Sequence, residues 1–180
     1  MVGALYLCRM TLPDDYPDEF KECLPHIFAL EGGLANDSAD PGGLTKYGIS
    51  KRAFPWLNIR TLTKYEAGEI YYLYYWQPIR AHLIPPHLRL AVFDCAVNNG
   101  AQKAVLLLQI LSGAHQDGIM GRITAEKSER VTVEQYLDLR ARVYRDIARN
   151  RPASRKFLFN WLHRLRYIRG VLLRSLQKKA

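Results

Sequence analysis

Carboxylates all but vanish from the last quarter of this chain. From Arg140 to Ala180 thirteen Lys and Arg stand against one acid, Asp146, a local net of +12. The 180-residue chain as a whole carries +9, which leaves residues 1–139 at −3 and gathers the positive charge at one end. No base-reading motif and no interleaved aromatic pattern accompanies that charge, so nucleic acid is not an expected partner. Cysteine is scarce too. Cys8, Cys23 and Cys95 are odd in number, widely separated and without a CxxC pair. That excludes a disulfide framework and a zinc knuckle, and leaves free buried thiols of the kind found in chains made in a reducing cytoplasm. The five histidines (26, 82, 87, 115, 163) have no ligand spacing, so no metal and no cofactor is expected. Long apolar runs are missing as well: none reaches the roughly 18 residues that a membrane span needs. Val2–Cys8 lacks a basic flank and a small-residue cleavage site, so residues 1–13 read as a poorly ordered leader and not as a signal peptide.

What the chain does have is helical periodicity. Asp14–Leu30 predicts a first helix that Pro25 should kink or divide. Thr63-x-x-Glu66 reads as a capping box for a second helix running to about Trp76, apolar or aromatic nearly all round and therefore mostly buried, unless some of its rings line a cleft. Pro85-Pro86 marks a boundary between a first lobe, residues 14–86, and a second, residues 87–180. Leu88–Gly113 predicts a helical pair pinched at Asn98-Asn99-Gly100, in which Asp94 and Asn98, four apart, either hydrogen-bond within the core or support a cleft. Thr124 reads as an N-cap, and Thr132-Val133-Glu134-Gln135 opens a further helix. The last helix, Phe157–Gln177, puts Phe157, Trp161, Leu165, Ile168, Leu172 and Leu176 on one arc that should dock on the core. Arg164, Arg166 and Arg174 fall outside that arc, either as a solvated face or as a contact for an anionic surface.

The stretch Glu31–Ser50, EGGLANDSADPGGLTKYGIS, concentrates the chemistry. Glu31 should close the first helix, with Gly32 or Gly33 as its left-handed stop. A carboxylate there meets the negative end of the helix dipole, which disfavours its ionised form, and an apolar wall would add to the effect. A turn at Asp40-Pro41-Gly42-Gly43 and a short hairpin strand over Leu44–Ser50 follow. A proton-holding acid followed by further carboxylates and a hydroxyl suits glycosidic hydrolysis, which uses one carboxyl as proton donor and a second to activate water or attack the sugar. Each residue alone also fits ordinary turn chemistry.

The string Glu31-Gly32-Gly33-x-x-Asn36-Asp37-x-x-Asp40-x-Gly42-Gly43-x-Thr45-x-x-Gly48-Ile49 resembles the N-terminal signature of glycoside hydrolase family 108. That family comprises small lysozyme-fold N-acetylmuramidases of phage endolysins and bacterial secretion-activator proteins. The resemblance continues through Tyr75-Trp76-x-Pro78 and Phe93-Asp94-x-Ala96-Val97-Asn98-x-Gly100. Leu108-Gln109 and Asp117-Gly118-x-x-Gly121-x-x-Thr124 are similar to a peptidoglycan-binding type 3 region. The string departs from the family pattern at Leu34, where an aromatic is common.

The resemblance implies a mainly α, lysozyme-like, two-lobed fold with one small β-hairpin after the first helix. It implies a bacteriolytic muramidase in which Glu31 is the general acid. Asp40 would steady the developing positive charge and, with Thr45, hold a water, with Asp37 as the other candidate for that second carboxylate. Asn36, Asp37, Tyr47, Asp94 and Asn98 are the expected substrate contacts. The expected partner is peptidoglycan, with anionic membrane or lipopolysaccharide meeting Arg164, Arg166 and Arg174. A monomer made in a bacterial host cytoplasm and released through a separate pore is the expected setting. The alternative is a non-catalytic protein that binds the cell wall or another anionic surface.

Overall fold

The computed structural model describes residues 16–32, 35–36 and 43–177. The expected leader, residues 1–13, lies outside them. The architecture is mainly α: seven α-helices and one small antiparallel sheet among the described residues. Two compact units divide between Tyr74 and Tyr75.

The first unit begins with α1 (Asp18–Leu30), whose buried Phe20, Cys23 and Ile27 recur at helical spacing. Burying each large apolar side chain of this kind contributes about 1.5–3 kcal/mol. Pro25 lies inside α1, which runs on through it undivided. Three short strands follow, β1 (Ala35–Asn36), β2 (Leu44–Lys46) and β3 (Ile49–Ser50), in the order β1-β2-β3. The sheet thus has one strand more than the expected hairpin. β2 is central, with Thr45 opposite both Ala35 and Ser50. The capping box of α2 (Lys64–Tyr71) forms as expected: the Thr63 hydroxyl accepts from the Glu66 amide, and the Glu66 carboxylate accepts from the Thr63 amide. The α-helix then widens into a π-helical turn over Tyr72–Trp76 instead of continuing unchanged.

The second unit contains α3 (Pro86–Asn99), α4 (Ala101–Ser112), α5 (Arg122–Ser128), α6 (Val133–Asn150) and α7 (Leu158–Gln177). Pro85-Pro86 is no linker. Pro86 occupies the first turn of α3, where a missing N–H costs nothing. The preceding residues belong to the same core: Trp76 packs edge-to-face on Phe93 at 5.0 Å, and the Arg89 guanidinium donates to the carbonyls of Ala81 and Ile84. Gly100, at φ 88, makes the predicted pinch between α3 and α4. Thr124 is not an N-cap. Gly121 holds that position, and Thr124 is buried in the first turn of α5 beside Gln109. Thr132 and Gln135 cap α6 reciprocally. α7 packs on α6 and α3, with Leu165 and Ile168 of the predicted arc buried; Phe157, in the 3-10 segment just before α7, is exposed.

Candidate active site

Glu31 is the residue at which α1 stops. Its amide still donates to the Ile27 carbonyl, but its own backbone is extended, at φ −96 and ψ 133. The helix therefore ends by the chain straightening at Glu31, not by a left-handed glycine; Gly32 does not adopt that conformation. This half-buried side chain meets the turn of the β2–β3 hairpin. A methyl group placed on Gly48 would lie 2.6 Å from the Glu31 carboxyl carbon and 2.7 Å from the Tyr71 hydroxyl. The carboxylate, the glycine and the phenol are thus packed together.

The hairpin turn is built to hold that contact. Lys46 pairs with Ile49, so Tyr47-Gly48 is a two-residue loop, and both residues have positive φ, 50 and 72. Mirror-image turns of this kind match the strand twist but favour Asn-Gly, because a bulky side chain at positive φ is strained by about 1–2 kcal/mol. Tyr47 is held there from three sides. Its amide donates to the Gly32 carbonyl at 3.1 Å, and its carbonyl accepts from the buried Tyr71 hydroxyl at 2.6 Å. Its ring lies edge-to-face on Phe28, which packs the same way on Tyr71. Strain kept in place by so many contacts is typical of functional sites. Gly48→Ala should therefore force both Glu31 and Tyr71 aside and cost about 1–3 kcal/mol of stability. Urea denaturation followed by circular dichroism checks this, and an unchanged midpoint would refute the packing.

Of the other expected site residues, Thr45 is on β2, half-buried, and its hydroxyl donates to the Gly43 carbonyl at 3.1 Å. Its lone pairs can still accept, so a water would have to donate to it. The backbone of Asn36 is in β1. Asp37 and Asp40 lie outside the described residues. Glu69 on α2 is a second acid in this unit that the spacing did not single out. It is 1% exposed and accepts from the Tyr65 hydroxyl at 2.9 Å. Burial raises its pKa, with the Tyr65 bond opposing. Closed off from solvent, it belongs to the core and not to a polymer-binding surface.

Asp94 and Arg164 must be reassigned, and half-buried Asn98 hydrogen-bonds to the same network. Asp94 is fully buried in the second unit, where its carboxylate bridges Arg140 of α6 at 2.8 Å and Arg164 of α7 at 2.7 Å. Arg140 also donates to the Ala91 carbonyl and to the Tyr144 hydroxyl. Asn98 donates to that hydroxyl as well, and the hydroxyl donates onward to Asn99. This network locks α3, α6 and α7 together; Asp94 has no face to offer a sugar, and Arg164 none to offer an anionic surface. The arc pattern missed this because nothing in a helical wheel tells an arginine that seeks a buried partner from one that seeks water. Arg166 and Arg174 are exposed as expected. Cys95 is buried in the same region, and burial pushes its thiol up, the mark of an inert structural cysteine.

The residues Gln109 to Thr124 form a clasp. The buried Gln109 amide nitrogen donates to the Asp117 carboxylate and the Ile119 carbonyl, and its oxygen accepts from the Gly118 amide. Asp117 also accepts from the Ile119 amide, and these bonds draw its pKa down. That string pins the α4–α5 loop. Among the described residues no group of three or more His, Cys, Asp or Glu could hold a metal, and no helix is long and apolar enough to cross a membrane.

Comparison with known proteins adds to this geometry. No curated protein sequence matches the chain. Among solved structures the chain is similar to that of Brucella abortus SagA, at 27% identity and a TM-score of 0.76, with 87% of this chain and 94% of that one covered. The expected mainly α, lysozyme-like fold is thus the observed one. The model of the Glycosyl hydrolase 108 family matches residues 24–100, a span that holds Glu31, the hairpin and Tyr71 and ends before the Gln109 clasp. In the part that carries the candidate acid, this chain is similar to the glycosyl hydrolases of family 108.

Proposed function

We propose that the protein is an endolysin-type muramidase that hydrolyses the β-1,4 bond between N-acetylmuramic acid and N-acetylglucosamine in peptidoglycan. The observation that carries this reading is the Glu31 carboxyl group, seated at the end of α1 against Gly48 and Tyr71 within the span similar to a glycosidase family. Glu31 protonates the glycosidic oxygen as the bond to the anomeric carbon breaks, so that the leaving sugar departs neutral. The positive charge that develops on the remaining sugar needs a second carboxylate, for which Asp40 is the first candidate and Asp37 the other. Water, oriented by the Thr45 hydroxyl as an acceptor, then adds to the anomeric carbon. It gives up a proton, to the second carboxylate in an inverting reaction or to the ionised Glu31 in a retaining one. The held turn matters because an acid displaced by about 1 Å loses on the order of a hundredfold in rate. The exposed Arg166 and Arg174 on α7 are candidates for an anionic wall or membrane surface met after release from the cytoplasm.

Mass spectrometry of digested sacculi tests the reaction. New reducing-end N-acetylmuramic acid is the expected product. Anhydro-muramic ends would mean a lytic transglycosylase, reducing-end N-acetylglucosamine a cut at the other linkage, and released peptides an amidase or peptidase; any of these refutes the assignment.

A further inference from the structure

The unit that carries Glu31 also displays two large aromatic side chains to solvent. Trp56 is 60% exposed and Tyr74 48%. They are not scattered singly. Both rings pack edge-to-face on the buried Phe54, with centroids 5.6 and 5.1 Å away and interplanar angles of 81° and 80°. Isolated exposed rings are ordinary on a protein surface, whereas two rings propped on one buried ring make a contiguous apolar platform.

The platform is fixed to the strands of the candidate site. The Phe54 amide donates to the Ser50 carbonyl at the end of β3. Lys51 donates to the Leu57 carbonyl at 2.7 Å, and Lys46 to the Arg60 carbonyl at 3.1 Å. Those bonds tie β2 and the end of β3 to the loop bearing Trp56, and β2 and β3 also hold Tyr47-Gly48 against Glu31. Tyr74 arrives by a separate route, the π-helical turn Tyr72–Trp76. Such turns are rare and recur at functional positions. The wider spiral gives residue 74 a bearing that a regular continuation of α2 would not. Finally, Lys51–Thr61 contains Lys51, Arg52 and Arg60 and no acid. Flat apolar rings on or packed against a largely exposed loop that carries only positive charge fit a ligand with flat C–H faces and negative charge.

We propose that Trp56 and Tyr74 form a glycan-binding platform, away from the scissile bond, that stacks on the N-acetylhexosamine rings of a wall glycan strand. The carboxylates of that strand face Lys51 and Arg60. The identity of the ligand rests on the muramidase reading; the binding itself needs no turnover.

Calorimetry on Glu31→Gln protein, titrated with soluble uncrosslinked peptidoglycan strands and with neutral chitohexaose, tests it. Trp56→Ala and Tyr74→Ala should each weaken binding of the strands about tenfold, the size of one lost aromatic contact. Trp56→Phe should retain most of the affinity, each alanine variant should lower the thermal midpoint by only about 2–4 °C for its lost contact with Phe54, and chitohexaose should bind more weakly than the anionic strands. Unchanged affinity in the Trp56→Ala/Tyr74→Ala double variant overturns the platform, as does failure of the parent Glu31→Gln protein to bind either glycan. Should Glu31→Gln still cut sacculi while the platform variants lose binding, the acid assignment fails and the platform stands.

Discussion

Glu31→Gln should fold as the parent does and clear purified peptidoglycan at least about a hundredfold more slowly, the usual contribution of a general acid. Glutamine keeps the volume of the side chain and its hydrogen-bonding reach, so the packing against Gly48 and Tyr71 survives. It has no acidic proton to give, so the leaving sugar would have to depart as an alkoxide. The loss should appear in kcat and kcat/KM together, because the proton moves only in the transition state. Turbidity loss of sacculi, alongside circular dichroism, measures it. Clearance at the parental rate by a folded variant would remove Glu31 from the chemistry. Gly48→Ala provides the contrast: it leaves the acid in place chemically but dislodges it, so it should lower stability and clearance at once.

Asp94→Ala should produce the largest loss of stability, about 3–5 kcal/mol, because it strands two guanidinium groups that now share that carboxylate as their counter-charge. Arg140 is fully buried and Arg164 nearly so, and neither can reach water without opening the α3–α6–α7 packing. Urea denaturation by circular dichroism is the measurement. A cost below about 1 kcal/mol would show that the network is dispensable. The apolar triple replacement of Asp94, Arg140 and Arg164 should recover most of the loss, since removing all the buried charges together leaves none uncompensated. If Asp94 instead touched substrate, Asp94→Asn would depress clearance far beyond its effect on stability.

Local signals in the chain were enough to determine a good deal. Reciprocal caps at Thr63/Glu66 and Thr132/Gln135 and the Gly100 pinch all rest on contacts within a few residues, which spacing alone encodes. The same holds for Glu31, whose place at the end of a helix follows from the apolar periodicity before it. The Tyr47-Gly48 turn was not legible in this way: the spacing predicts one strand over Leu44–Ser50, and the structure breaks it into β2 and β3. Relations between distant residues were decided only by the tertiary structure. Tyr71 lies 24 positions from the carbonyl it supports, and Arg164 lies 70 from its carboxylate. The units divide at Tyr74, and Trp76 packs on Phe93 within the second, a contact between residues 17 positions apart. A polar side chain carries the same letter whether it faces water or a buried counter-charge. Which of the two it meets depends on packing between helices, and that is a property of the folded chain, not of any window of sequence.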